Sequence, residues 1–362
     1  MLSSFLALDA INFKWEGLRV LLDDIVNIII AFSDPRGTYA RHAAVTLASV
    51  FINTNSPVHV FLLHDETLTD ENRTKLQETA DLHNKEITFI DASGKLDSLA
   101  KKMAPRDYEA LLGKLGRGAL YRLFATDLIP VSRAIYLDCD ILVTRDIRDL
   151  WQEDLEDKAL GVVPDYHAQN LRENKGGISS RTERLWDFLG IEKTTYFNSG
   201  VLLMNFEKIR ANYNLAKQSI KFFMKYSKII TMADQDFLNF LFHNDKKILP
   251  EDFNRIRPFD TSNGVDGQIF HTASHKPYET YTRPLIDELY WHFLRQTAFC
   301  KREEELVSAM CQGLGKSYCV HLHSNACLAR LISQMKQNIF EGHYIKSMNL
   351  FLATRKEKKA TI

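Results

Sequence analysis

The sequence predicts an α/β protein with a Rossmann-like, nucleotide-binding sheet flanked by helices, followed by a mostly helical C-terminal region. Two observations carry this expectation. Strand-type and helix-type patterns alternate from residue 26 onward, as a sheet with helical crossovers requires. Beyond Tyr281 the strand pattern fades and the periodicity is helical.

Val26–Phe32 is apolar apart from Asn27, the pattern of a strand buried on both faces. Tyr39–Asn53 repeats Ala43, Ala44, Leu47, Val50 and Phe51 at helical spacing. A second strand is expected at Val58–Leu63, a polar-faced helix at Thr69–His83 with a Thr start, and a third strand at Ile87–Ile90. The helix Ala119–Leu128 precedes a strand Ala134–Leu137 that runs into Asp138-Cys139-Asp140. Further strands are expected at Ala159–Val163 and Gly200–Met204, and helices at Ser180–Leu189, Phe206–Tyr226 and Asp234–Phe242. This divides the chain into an N-terminal extension, residues 1–25, a sheet domain, 26–280, and a helical C-terminal region, 281–362.

Composition excludes several classes of function. The 362 residues hold 46 Lys and Arg against 46 Asp and Glu, which argues against a generally basic nucleic-acid binder. The balance is uneven: residues 328–362 carry seven Lys or Arg and two Glu, so the tail is basic and the body mildly acidic. That tail reads as a solvated helix end, with weak contact to an anionic membrane surface as the alternative. No apolar run approaches the roughly 18 residues of a membrane span. The start lacks a basic segment and places Asp9 inside what would be the apolar part of an export signal. Five irregularly spaced cysteines point to reduced thiols in a cytoplasmic protein. Cys319, His321, His323 and Cys327 do not match a common structural zinc spacing and read as thiols and surface imidazoles.

Two Asp-x-Asp triplets occur, 138/140 and 234/236, about as many as random placement gives, so the triplet alone is no evidence. Context lifts the first. It interrupts the apolar stretch Ile135–Val143, where side chains two apart share a face. Two ionised carboxylates there need a countercharge. A hard divalent cation, Mn²⁺ or Mg²⁺, supplies it, and pairing with Arg145 or Arg148 is the competing reading.

Read together, Ala31-Phe32-Ser33-Asp34…Tyr39, Tyr121-Arg122, Tyr136–Asp140, Phe197-Asn198-Ser199-Gly200-Val201, Asp234-Gln235-Asp236 and His271…Lys276-Pro277 resemble the bacterial glycosyltransferases of family 8 in order and approximate spacing. That group contains lipopolysaccharide α-galactosyl- and α-glucosyltransferases and, more distantly, glycogenin. The resemblance implies a GT-A fold with a mixed sheet, a UDP-sugar donor, Mn²⁺ and transfer with retention of anomeric configuration. It implies that Asp138, Asp140 and His271 ligate the metal, that Asp34 bonds the uracil edge and that Tyr39 stacks on the ring. Arg122 and Lys276 are implied diphosphate contacts, and Asp165, Asn198, Ser199 and Gly200 donor-sugar contacts. Asp234 and Gln235 are implied at the reacting face, where a neutral amide is a poor nucleophile and front-face attack is favoured. Three departures stand out: a longer Asp34-to-Tyr39 loop, Ser274 at the phosphate-side position usually held by Gly, and Tyr278 where Trp is usual.

The expected function is therefore Mn²⁺-dependent transfer of a hexose from UDP-glucose or UDP-galactose to a carbohydrate acceptor. Lipopolysaccharide core, a protein-linked glycan, another cell-envelope glycan and a lipid-linked sugar all remain open as acceptors. The expected location is cytoplasmic, with the basic tail as a candidate contact to the inner membrane face. A catalytically idle sugar-nucleotide binder and a two-carboxylate glycoside hydrolase using Asp138 and Asp234 are the alternatives.

Overall fold

A computed structural model describes residues 25–101, 104–165, 186–227, 229–230, 232–256, 264–273, 277–278 and 284–300. The N-terminal extension before residue 25, the basic tail, the Cys/His segment and most of the helix expected at Ser180–Leu189 lie outside them.

Among the described residues, nine strands form two sheets: β1 (Val26–Ala31), β2 (Val58–His64), β3 (Glu86–Asp91), β4 (Arg133–Leu137), β5 (Ile141–Val143), β6 (Leu160–Pro164), β7 (Phe197–Asn205), β8 (Lys246–Ile248) and β9 (Ile269–His271). The large sheet has the order β3-β2-β1-β4-β7-β6-β8, and β5 pairs with β9 alone. β1 runs parallel to β2 and β4, whereas β7 is antiparallel to both β4 and β6. The mixed sheet of the GT-A expectation is thus present.

The helices are α1 (Tyr39–Asn53), α2 (Asp70–Leu82), α3 (Ser93–Ala100), α4 (Pro105–Tyr121), α5 (Ala125–Leu128), α6 (Arg148–Trp151), α7 (Phe206–Asn212), α8 (Leu215–Tyr226), α9 (Ala233–Leu241) and α10 (Pro284–Leu294). They bury both sheet faces, which is why β1 carries apolar residues without alternation. Ile28 and Ile30 pack with Ala43 and Leu47 of α1, while Ile29 packs with Leu120 and Tyr121 on the other face.

Three local differences from the sequence reading have physical causes. The helix expected from Ala119 begins at Pro105 and is interrupted at Gly116, whose φ of 68° no helix accommodates. The helix expected at Phe206–Tyr226 is two helices, because Asn214 turns its side chain back to accept from Lys217 N and caps a new start. The run Ile135–Val143 is two strands, β4 and β5, separated by the turn that holds the acidic pair.

Candidate active site

Strand direction gathers the site at one edge of the sheet. β1 and β4 end there, and antiparallel β7 begins there, with Leu137 opposite Val201. β6 also ends there, with Pro164 opposite Phe197. Asp34, Asp138, Asp165 and Asn198-Ser199-Gly200 therefore share that edge, although they are far apart in the chain. Carboxyl ends of parallel strands at a change of strand order are where α/β folds open a crevice. A cavity of about 740 Å³ opens there, lined by Pro35, Tyr39, Gly118, Arg122, Asp138 and Asp140 among others.

Asp138 and Asp140 sit on the β4–β5 turn, not along one strand face as the sequence suggested. The small sheet brings in the third group: Ile141 of β5 pairs with His271 of β9. His271 Nε2 lies 3.2 Å from Asp140 Oδ1 and 3.9 Å from Asp138 Oδ2. One ligating atom from each of the three residues falls within 4.8 Å of the others. Gly200 underlies the cluster: a Cβ there would stand 2.2 Å from His271 Cε1 and 2.9 Å from Asp138 Oδ2. Two carboxylates, one imidazole and a cradle that only glycine leaves open suit a hard divalent cation such as Mn²⁺ or Mg²⁺. Of the arginines that the sequence offered as partners for these acids, Arg145 pairs with Asp149 at 2.8 Å and Arg148 donates to Ser56 Oγ.

The two oxygens of Asp138 are used differently. Oδ1 accepts from Arg122 Nη2 at 2.6 Å and from the Tyr136 hydroxyl at 2.8 Å, which turns Oδ2 toward His271. Such outer hydrogen bonds fix the orientation of a ligating carboxylate. Arg122 is 5% exposed and also donates to the Ser199 carbonyl, with its Nε 3.3 Å from Asp234 Oδ2. Burial opposes its charge, but Asp138, Tyr136 and Asp234 outweigh that and raise its pKa above the ordinary guanidinium value. In Asp234 burial wins: its carboxyl pKa is raised, partly offset by Arg122. The residue expected to meet a diphosphate thus also ties two site carboxylates together.

Gln235, Asn198 and Asp165 meet in a buried polar chain. Gln235 Nε2 donates to Asp165 Oδ2 at 3.0 Å, and its Oε1 accepts from Asn198 Nδ2 and Ser199 N, each at 3.1 Å. The second triplet splits by function of position. Asp234 faces the site, while fully buried Asp236 accepts from Trp186, Tyr196 and Met232 N and belongs to the core.

Asp34 is 2% exposed, with Oδ1 accepting from Tyr39 N and Oδ2 from Asn72 Nδ2, so it braces the start of α1 at the cavity's edge. Tyr39 lines the cavity and is 40% exposed. Ser274 and Lys276 lie outside the described residues. Sequence reasoning attached no role to Tyr136 or Asn254. Tyr136 lay inside the quoted acidic motif, but Asn254, which donates to Asn198 Oδ1 at 3.0 Å, carried no local signal.

The sequence profile described as glycosyl transferase family 8 matches residues 27–280, most of the chain. The chain belongs to glycosyltransferase family 8. Among its relatives, a putative glycosyltransferase of Haemophilus influenzae is 27% identical over 219 residues, covering 60% of this chain and 60% of that protein. General stress protein A of Bacillus subtilis is 23% identical over 297 residues, covering 76% of this chain and 95% of its own length. The crystal structure of the galactosyltransferase LgtC with donor and acceptor sugar analogs superposes with a TM-score of 0.56 at 23% identity, covering 75% of this chain and 95% of that one. At that identity the likeness shows the GT-A fold. Among the described residues, no helix of this family 8 chain is long and apolar enough to cross a membrane.

Proposed function

We propose that this protein is a divalent-metal-dependent, retaining hexosyltransferase that moves glucose or galactose from a UDP-sugar to a glycan or other cell-envelope acceptor. The observation that carries the reading is the convergence of Asp138, Asp140 and His271 at the mouth of a nucleotide-sized cavity. Asp138, Asp140 and His271 would hold the cation, Mn²⁺ or Mg²⁺, which when bound would stabilise the charge on departing UDP. Tyr39 offers a stacking surface for the base, with Asp34 holding its loop. Asp165, Asn198 and Gln235 would orient the hexose, with Ser274 and Lys276 contacting the phosphates.

In the transfer itself, the bond between C1 of the hexose and the β-phosphate oxygen breaks with its electron pair leaving on UDP. An acceptor hydroxyl oxygen bonds C1 from the same face, and its proton passes to the departing phosphate oxygen. Front-face attack is supported by the site's lack of a free carboxylate nucleophile at Gln235 and by the pairing of Asp234 with Arg122 and Ser199. A cytoplasmic location completes the proposal, with weak contact of the basic tail to the inner membrane face as the alternative to a solvated tail.

The test is UDP release from UDP-glucose and UDP-galactose with Mn²⁺, with Mg²⁺ and with EDTA, against a panel of glycan acceptors read by mass spectrometry. Metal-dependent turnover of one donor is expected. Absence of metal-dependent UDP release from every donor and acceptor would sink the proposal.

A further inference from the structure

Four side chains form a hydrogen-bonded chain beneath the site, and it has one direction. Asn254 Nδ2 donates to Asn198 Oδ1 at 3.0 Å, Asn198 Nδ2 to Gln235 Oε1 at 3.1 Å, and Gln235 Nε2 to Asp165 Oδ2 at 3.0 Å. All four are at most 7% exposed.

Backbone groups determine that direction. Gly200 N donates to Asn198 Oδ1 at 2.9 Å, so that atom must be the carbonyl oxygen and Nδ2 must face Gln235. Ser199 N likewise donates to Gln235 Oε1, which leaves Gln235 Nε2 facing the carboxylate of Asp165. A flipped Gln235 would set its NH₂ against two donors and its oxygen against a carboxylate. The oxygen of Gln235 thus has both acceptor directions occupied, and its NH₂ is turned to Asp165 and to the Tyr196 hydroxyl.

Asn254 supplies the second bond to the oxygen on which this arrangement turns. Its own Oδ1 is buried and has no hydrogen-bond partner among the described residues. An unpaired buried carbonyl oxygen is costly, yet the NH₂ of the same amide is aimed at Asn198. Nothing else in the Glu251–Phe253 turn or at its end reaches the chain of amides through a side chain in this way.

We propose that Asn254 is a positioning residue that holds Asn198, and through it Gln235, in the orientation that turns the Gln235 carbonyl oxygen onto Asn198 and Ser199 and withholds it from the donor sugar. This deepens the proposed hexosyl transfer and rests on that reading for its kinetic consequence. An amide whose oxygen already accepts two bonds cannot offer it to an electron-poor carbon without breaking both.

The experiment uses Asn254→Asp, which keeps the shape and removes the donor, together with Asn254→Ala, Gln235→Ala and each double variant. Wild-type turnover with Mn²⁺ tests the underlying reading separately. Where turnover is present, Asn254→Asp is expected to lower kcat about tenfold, the scale of one lost buried hydrogen bond, with UDP affinity unchanged. In the Gln235→Ala background the same substitution should have no further effect. An equal loss in both backgrounds, or a loss confined to UDP affinity, overturns the proposal. A second readout needs no turnover: the Gln235 side-chain amide resonance, identified by its disappearance in Gln235→Ala, should shift in both Asn254 variants while that of Asn72 stays in place. An unmoved Gln235 resonance also overturns it.

Discussion

Gly200 and His271 are in contact where no larger residue could stand, since a Cβ on Gly200 would lie 2.2 Å from Cε1 and 2.7 Å from Nδ1 of the imidazole. The glycine belongs to β7 and the histidine to β9, so the contact joins the two sheets. Gly200→Ala must push the ring away from Asp138 and Asp140. Expected is a weakening of Mn²⁺ binding by about tenfold or more, measured by calorimetry. The thermal midpoint should also fall, on the scale of about 1–3 kcal/mol for an overpacked core.

Tyr136 donates to the same Asp138 oxygen that Arg122 holds. Tyr136→Phe removes only the hydroxyl and keeps the ring. Mn²⁺ affinity should fall about tenfold with little change in melting. Asp138→Asn, Asp140→Asn and His271→Ala should lose more, because each removes a ligating atom. A Tyr136→Phe protein that binds Mn²⁺ as tightly as wild type would refute the orienting role.

Arg122 sits between two carboxylates, 2.6 Å from Asp138 and 3.3 Å from Asp234. Arg122→Met leaves both acids without their cation. The cost of stranding a buried charge is about 3–5 kcal/mol, so denaturant midpoints should drop sharply. Added Mn²⁺ should restore part of the loss by supplying countercharge to Asp138. Arg122→Lys should fall between the two, lacking the planar fork that reaches Ser199 and both carboxylates together.

Asp236 offers a contrast within the same sequence pattern. Asp236→Ala should destabilise by about 3 kcal/mol, because the buried Trp186 and Tyr196 donors and Met232 N all lose their acceptor. At a temperature where the variant remains folded, its Mn²⁺ affinity should match wild type, whereas Asp138→Asn should show the opposite pattern.

Asp245 gives a pH dependence outside the site. Burial tends to raise its pKa, but hydrogen bonds from Lys208, the Tyr213 hydroxyl and Ala159 N outweigh that and hold it below the usual carboxylate value. Its neighbour responds in the opposite sense, with the Tyr213 hydroxyl pushed up to about 12. A carboxylate with a lowered folded pKa contributes stability that is full above its unfolded pKa and is lost as pH falls through the folded one. The stability difference between wild type and Asp245→Asn should therefore be largest near neutrality, about 2 kcal/mol, and should shrink below about pH 5. Urea denaturation at several pH values reads this directly, and a difference independent of pH would refute it.

The central elements were legible because their signals are local. Tyr39–Asn53 is a helix at the expected bounds, and Val26–Ala31, Val58–His64 and Arg133–Leu137 are strands within a residue of expectation. What escaped was short or non-periodic. β5, β8 and β9 have three residues each, too few to show an alternation, and the start of α4 at Pro105 had no capping side chain to announce it.

By itself the sequence picked out the candidate site residues: two carboxylates breaking an apolar run, a histidine upstream of Lys-Pro, and the order of motifs that marks family 8. Tertiary structure decided how they are used. His271 reaches Asp138 and Asp140 because β9 pairs with β5 across more than a hundred residues of chain, a long-range pairing that no local pattern encodes. Arg122 becomes a bridge between carboxylates, and Asn254 a partner of Asn198, for the same reason. Burial and hydrogen-bond direction are properties of the packed chain, and those properties separate Asp138, in the cluster with Asp140 and His271, from a core residue at position 236.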